Sequence, residues 1–201
     1  VVKSAIFERP DDANKGTLGS LLCVCGSYGM AGAAVMSAKG ALRTGIGLAK
    51  CALPRSIYPI VAQTILESVY YPLSENADGR ISKVNVPFLV SESCKSSATL
   101  VGCGLGVCDD TLKIVFSFIE NSTTPLVLDA DALNCVAKQP EILLRKKAPI
   151  IITPHPGEMS RLTGLATPLV NAERERVALD FTQKYGVVTV LKGAGTVIAS
   201  P

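Results

Sequence analysis

Leu128-Asp-Ala-Asp-Ala-Leu-Asn134, Thr153-Pro-His-Pro-Gly-Glu158 and Leu191-Lys-Gly-Ala-Gly-Thr196 decide the reading of this chain. In each stretch a run of β-forming residues gives way to polar residues or glycine. An open parallel α/β sheet gathers its ligand-binding groups at such strand ends. The pattern points to chemistry on phosphate.

The same alternation extends through the whole sequence. Apolar, β-rich runs fall at residues 21–25, 46–53, 68–71, 99–102, 126–129, 150–153 and 187–191, and helical patterns separate most of them. Residues 31–44 form one such pattern, with Lys39 and Arg43 on a solvent face and Ala34, Ala38, Ala41 and Leu42 facing inward. Residues 109–120 form another, opened by an acidic pair suited to a helix N-terminus. Residues 171–185 form a third, with Asn171 as its N-cap. Strands alternating with helices imply a mostly parallel central sheet with helices on both faces, and the chain is short for eight βα units of a barrel. At 201 residues, one domain spanning residues 1–201 is expected.

Composition agrees with this and excludes other classes. The chain is 48% hydrophobic with only 5% aromatic residues and no Trp, so its core is expected to consist of Val, Ile, Leu and Ala. Twenty basic and 17 acidic residues give a net charge of +3 without a basic stripe, which argues against nucleic acid as a partner. No charge occurs between Lys15 and Lys39, but glycines 26, 29 and 32 break that stretch into a strand, a loop and a helix rather than a membrane span. Seven cysteines, an odd number mostly placed in apolar runs or beside glycines, read as reduced thiols of a cytoplasmic protein. Cys23 and Cys25 share one strand face and read as core, and with a single histidine in the chain no zinc site is expected. There is no basic leader, and Val rather than Met in first place suggests a start further upstream.

The motifs carry the chemistry. Gly102-Cys-Gly104-Leu-Gly106 follows a strand and precedes a helix, where glycine lets a backbone approach a phosphate. A dinucleotide fingerprint would need a third glycine at position 107, which is Val, so a Rossmann dehydrogenase is disfavoured. Asp129 and Asp131 end a buried strand with Asn134 one helical turn on; they serve either as a helix cap or in hydroxyl, metal or substrate contacts. His155 stands between two prolines that stiffen the backbone, and Glu158 either orients its imidazole or caps the following helix. A Ser-His-Asp hydrolase is disfavoured because no G-x-S-x-G elbow occurs. Lys192, Gly193, Ala194, Gly195 and Thr196 combine an ammonium, glycine amides and a hydroxyl into an anion cradle in which Lys192 is the only strong cation. They lack the Walker pattern and fit equally a hairpin turn between residues 187–191 and 197–199.

Taken together, Gly26-Ser-Tyr-Gly-Met-Ala-Gly-Ala-Ala34, Ala41-Leu-Arg-Thr-Gly-Ile-Gly47 and the four motifs above resemble, in order and spacing, those of the ADP-dependent NAD(P)H-hydrate dehydratases. The resemblance spans essentially the whole chain. It implies a ribokinase-like fold and an activity that returns hydrated NADH or NADPH (NADHX, NADPHX) to the intact cofactor, with ADP as co-substrate and Mg2+. It also implies a cytoplasmic homo-oligomer, a tetramer, acting on small molecules. By the same resemblance Ala33, Gly104 and His155 are hydrate-binding positions, Asp129, Asp131, Asn134 and Glu158 lie around the substrate, and Lys192 to Thr196 form the nucleotide-phosphate loop. The family continues through two more strands to a G-x-G-D segment that carries an anion hole and an Asp base. This chain stops at Pro201, so it is expected to be incomplete at that end, and the base is assigned to none of its residues. An ATP-dependent vitamin-precursor kinase of the same fold and a non-catalytic nucleotide-binding fragment are the alternative readings.

Overall fold

The computed structural model describes residue 11, residues 13–14 and residues 16–201. Its centre is one eight-stranded sheet of β1 (Ser20–Val24), β2 (Leu48–Pro54), β3 (Val69–Leu73), β4 (Ala98–Val101), β5 (Leu126–Leu128), β6 (Ile150–Ile152), β7 (Val188–Leu191) and β8 (Val197–Ala199). The spatial order is β3-β2-β1-β4-β5-β6-β7-β8, and every pairing is parallel except the β7–β8 hairpin. The seven strands expected from the sequence are all present, with ends shifted by at most two residues. The uncharged stretch before Lys39 is β1, a loop and a helix, and among the described residues no helix is long and apolar enough to cross a membrane.

The helices between the strands are α1 (Ala31–Arg43), α2 (Tyr58–Thr64), α3 (Val86–Cys94), α4 (Asp109–Asn121), α5 (Asp131–Val136), α6 (Pro156–Thr163), α7 (Thr167–Ala172) and α8 (Arg174–Tyr185). They cover the two sheet faces unequally. Alternate residues of β1 point to opposite sides, so Leu22 and Val24 join a large core with α4, α5 and α8, while Cys23 and Cys25 join a smaller one under α1 and α2. Aligned register continues the Cys23 row through Leu100, Val127, Ile151 and Val188. Val127, Ile151 and Val188 are half-buried on that face and Ile198 of β8 is exposed.

Two helices show how sequence becomes placement. Helix α4 begins with Asp109 and Asp110 in its first turn, where the carboxylates meet the positive end of the helix dipole, and it buries Ile114, Val115 and Phe118. The expected single helix over residues 171–185 is instead two. Pro168 sits in the first turn of α7, and the chain turns at Glu173 (φ −125°, ψ 42°) before α8 begins at Arg174. Asn171 therefore lies inside α7 and is not a cap, because the backbone break falls two residues later than the polar side chain suggested.

Candidate functional site

Strand order reverses between β1 and β4: the chain moves outward from β1 to β2 and β3 on one side, then returns to build β4 onward on the other. A crevice opens at the carboxyl ends of strands at such a point. Here the loops after β1 and β4 are fastened together, with Gly26 N–H donating to Cys103 O (2.8 Å) and Ser27 Oγ to Gly104 O (2.7 Å). Gly104 has φ +69°, and a Cβ on it would lie 2.7 Å from the Ala33 Cβ and 3.1 Å from that of Met30. Ala33 and Gly104, far apart in sequence, thus abut in the crevice, and glycine is required by both backbone angle and space.

The other candidate residues follow along the carboxyl edge. After β5 the backbone is pressed against the glycine loop: a Cβ on Gly102 would come within 1.8 Å of Asp129 O, and Ala130 adopts φ +50°. A positive φ at a residue with a side chain is strained by about 1–3 kcal/mol and is sustained by its surroundings. The contacts of Asp131 supply that support, since its Oδ2 accepts from Gly106 N–H at 2.8 Å. Asn134 donates to Asp131 Oδ1 (3.3 Å) and accepts from Arg161 Nε (2.8 Å).

His155 caps α6. Its Nδ1 accepts from Gly157 N–H at 3.0 Å and Glu158 N–H at 3.4 Å, while Glu158 Oε2 accepts from His155 N–H at 2.8 Å. This reciprocal arrangement is a capping box with an imidazole in place of the usual hydroxyl. Glu158 both caps the helix and orients the ring, its Oε1 lying 3.4 Å from Nε2. The imidazole stays half-exposed, so it faces solvent at the strand edge, and Glu158 is buried beneath it.

Lys192 ends β7. Its Nζ lies 2.6 Å from Asp129 Oδ1 and 3.9 Å from Glu158 Oε2, and its N–H donates to Pro154 O at 2.8 Å. Thr153 Oγ1 donates to the same Asp129 oxygen at 2.7 Å, and Cys103 Sγ lies 3.5 Å from the other. Burial alone would push the Asp129 carboxyl up, but the bonds from Lys192 and Thr153 outweigh it and hold the group below its ordinary value. Cys103 is also held down, chiefly by a hydrogen bond from Cys25, whose own thiol is pushed well up. Burial likewise raises Cys23 and takes Cys135 to about 12. All seven cysteines are free.

The structure therefore brings Asp129, Thr153, Glu158 and Lys192 into one cluster and sets His155 beside it. Ala33 and Gly104 lie at the switch-point crevice, while Asp131 and Asn134 brace the glycine loop. Residues 193–196 form the exposed turn of the β7–β8 hairpin, beside a cavity of about 550 Å3 that Gly195 and Val197 share with residues 171–176. One expectation for this loop is corrected. Lys192 is not the only cation there, because Arg174 at the start of α8 donates to Leu191 O (2.8 Å) and Lys192 O (3.1 Å). Nothing local distinguishes Arg174 from Arg176, whose guanidinium pairs with Glu173 and Asp180 on the surface; only the fold separates them.

Comparison with known proteins identifies the family and the fold. The sequence model of the Carb_kinase family, described as NAD(P)H-hydrate dehydratase, matches residues 21–201. The chain is 38% identical over 193 residues to the bifunctional NAD(P)H-hydrate repair enzyme Nnr of Thermofilum pendens, covering 96% of this chain and 37% of that protein. It is 32% identical to the ADP-dependent (S)-NAD(P)H-hydrate dehydratase of Neisseria meningitidis, covering 96% of this chain and 62% of the relative. A crystal structure of the ADP/ATP-dependent NAD(P)H-hydrate dehydratase of Bacillus subtilis, co-crystallised with ATP/Mg2+, superposes with TM-score 0.79 at 30% identity, covering 98% of this chain and 66% of that one. A ribokinase-like superfamily protein of Enterococcus faecalis, 20% identical with TM-score 0.80, shares the fold. The chain thus spans between about a third and two thirds of the length of these relatives. With its ribokinase-like sheet and the family match across residues 21–201, this chain belongs to the NAD(P)H-hydrate dehydratase family.

Proposed function

We propose that the protein carrying this chain returns hydrated NADH or NADPH to the intact dinucleotide, using ADP and releasing AMP and phosphate. The observation that carries this reading is the continuous line of groups along one sheet edge. It runs from the Ala33–Gly104 crevice past the Asp129–Lys192 pair and His155 to the glycine turn at residues 193–196. A dinucleotide hydrate and a nucleoside diphosphate have to meet end to end, and such an edge offers a reactant site and a phosphate turn in series. The family membership and the named activities of the Neisseria and Bacillus relatives support the same reading.

The chemistry asks for little covalent help. Transfer of the terminal phosphoryl group of ADP to the hydrate hydroxyl converts a poor leaving group into phosphate, and its elimination restores the dihydropyridine ring. The protein contributes alignment and charge stabilisation. In this reading Ala33, Gly104 and His155 receive the hydrated ring, with Asp129, Asp131, Asn134 and Glu158 around it, and Lys192 to Thr196 receive the phosphates. Among the described residues no group of three acidic, histidine or cysteine side chains could cage a metal. The Bacillus relative was co-crystallised with ATP/Mg2+, and in this reading Mg2+ would be held mainly by the nucleotide's own phosphates, where it would offset their charge.

The test is recovery of NADH absorbance from its hydrate with ADP, with ATP and without nucleotide, together with analysis of the nucleotide product. Recovery with ADP and formation of AMP supports the proposal. Release of ADP from ATP with phosphorylation of a stable alcohol would identify a kinase instead, and ligand binding without turnover would identify a binding module. A cytoplasmic location and a homo-oligomeric, tetrameric state belong to the same proposal, and sizing of the purified protein tests the latter.

A further inference from the structure

The Arg174 side chain reaches across the β7–β8 turn. Its Nη2 bonds to two consecutive carbonyls, Leu191 O and Lys192 O, and both Nη atoms lie 2.9 Å from where a Cβ on Gly193 would stand. Gly193 has φ +151°, so the guanidinium occupies space that only glycine leaves open, beside a backbone shape that residues with side chains rarely adopt. Its Nε is buried and meets no acceptor among the described residues, a desolvation cost that a simple surface tether would avoid.

The geometry of a trans peptide converts these contacts into an orientation. In each peptide plane the C=O and the N–H point in opposite directions. With Leu191 O turned toward Arg174, Lys192 N–H must point away, and it meets Pro154 O at 2.8 Å. With Lys192 O turned the same way, Gly193 N–H must also face away from the guanidinium. Residues 193–196 are exposed, and their N–H groups have no acceptor among the described residues. A turn of exposed residues with successive unpaired amides, the first of them turned away from the guanidinium, is suited to receive an anion.

We infer that Arg174 is the positioning residue of the phosphate loop: by holding two consecutive carbonyls it fixes the direction of the Gly193 amide, and so the start of the turn, before any nucleotide arrives. The inference rests on the proposed ADP-dependent reaction, and it concerns how the loop is held rather than what the hydrate contacts. A loop that is already shaped binds without an ordering penalty. Releasing it lowers apparent nucleotide affinity in proportion to the fraction still correctly shaped.

The test compares the parent protein with Arg174→Met, Arg174→Lys and Gly193→Ala, using calorimetric titration of ADP, the KM for hydrate, and hydrogen exchange of residues 193–196 without nucleotide. Arg174→Met is expected to weaken ADP binding by about ten- to a hundredfold and to speed loop exchange, while the hydrate KM changes by less than about twofold. Lysine keeps the charge without the fork, so it should recover only part of the loss. Gly193→Ala should reproduce the defect by displacing the guanidinium while Arg174 remains, and it carries the test if Arg174→Met does not fold. Parent-like ADP affinity in a folded Arg174 variant overturns the inference, as does an equal loss of hydrate affinity. If the parent itself binds no ADP, the proposed function fails and the inference falls with it, an outcome distinct from a parent and variant that bind equally.

Discussion

Replacing Lys192 by methionine keeps most of the side chain and removes its charge, which isolates the ion pair with Asp129. The ammonium lies 2.6 Å from Asp129 Oδ1 and 3.9 Å from Glu158 Oε2, and these two carboxylates are only 23% and 6% exposed. A hydrogen bond to a charged group contributes about 1.5–3 kcal/mol, and removing one partner of a shielded pair leaves the other uncompensated. Because the Lys192 side chain is itself 42% exposed, solvent screens part of the attraction, so a loss of about 2 kcal/mol is expected. For a chain of this length that corresponds to a Tm about 4–8 °C lower. The dependence on pH has a defined sign. In the parent the Asp129 carboxyl is held below its ordinary value, so its contribution is present above the unfolded value of about 3.9 and is lost as pH falls through the folded one. Without Lys192, only Thr153 and Cys103 oppose burial, so the folded value rises from that of the parent and the carboxylate contributes less stability above it. The deficit relative to the parent must therefore be larger at pH 7.5 than at pH 4. Urea unfolding of the parent, Lys192→Met, Asp129→Asn and the double variant measures both quantities, with a coupling of about 1–2 kcal/mol expected. A coupling below about 0.3 kcal/mol together with a deficit independent of pH would refute the reasoning. ADP titration of the same Lys192→Met protein is expected to show a loss of about 2–3 kcal/mol, and unchanged affinity would remove the ammonium from the phosphate site.

Three further outcomes are expected. Gly104→Ala places a methyl 2.7 Å from the Ala33 Cβ at a φ of +69°, so it should destabilise by about 1–3 kcal/mol and raise the hydrate KM while ADP affinity holds; an unchanged hydrate KM would remove Gly104 from the crevice role. His155→Gln should lose about 1 kcal/mol of capping, which His155→Asn recovers because asparagine is a good N-cap, yet both should raise the hydrate KM; recovery of both properties by Asn would make the imidazole purely structural. Brief alkylation near neutral pH, read by mass spectrometry, should label Cys94, Cys103 and Cys108, whose thiols are accessible and held down, ahead of the buried Cys23, Cys25, Cys51 and Cys135; hydrate should protect Cys103 selectively, and equal labelling of Cys25 and Cys103 would contradict their opposite shifts.

Much of this architecture was legible because it is encoded locally. Apolar runs ending in Asp129, Thr153 or Lys192 announce strands whose carboxyl ends carry chemistry, and the sheet's parallel pairing then brings those ends to one edge. What the chain hides is pairing across distance. Lys192 and Asp129 are 63 positions apart, and no periodicity links an ammonium after one strand to a carboxylate after another. The break at Glu173 was invisible for a related reason: the apolar spacing of residues 171–185 continues through it, so Asn171 looked like the cap of one helix when it lies inside another. Arg174 was missed because its partners are backbone carbonyls, which every sequence has. The role of His155 was half legible. Its flanking prolines point to a stiff backbone, but an imidazole acting as an N-cap does not stand out among the usual capping residues.

The polar groups of this edge are already committed to one another: Asp131 to Gly106 and Asn134, Asn134 to Arg161, His155 to Glu158, and Asp129 to Thr153 and Lys192. A ligand arriving here exchanges existing bonds for new ones instead of filling empty valences, so its net gain at each contact is a difference between two similar energies. A single substitution at Asp129, Lys192 or His155 therefore changes stability and affinity together, and its effect on turnover alone does not assign a role. Paired variants separate the two, because a replacement that restores the internal bond returns stability and leaves only the ligand's share of the loss. The exposed turn at residues 193–196 differs from the rest of the edge, since its amides hold no internal bonds among the described residues. Substitutions that disturb its shape should therefore affect nucleotide binding with little change in stability, the opposite balance to that expected at Asp129.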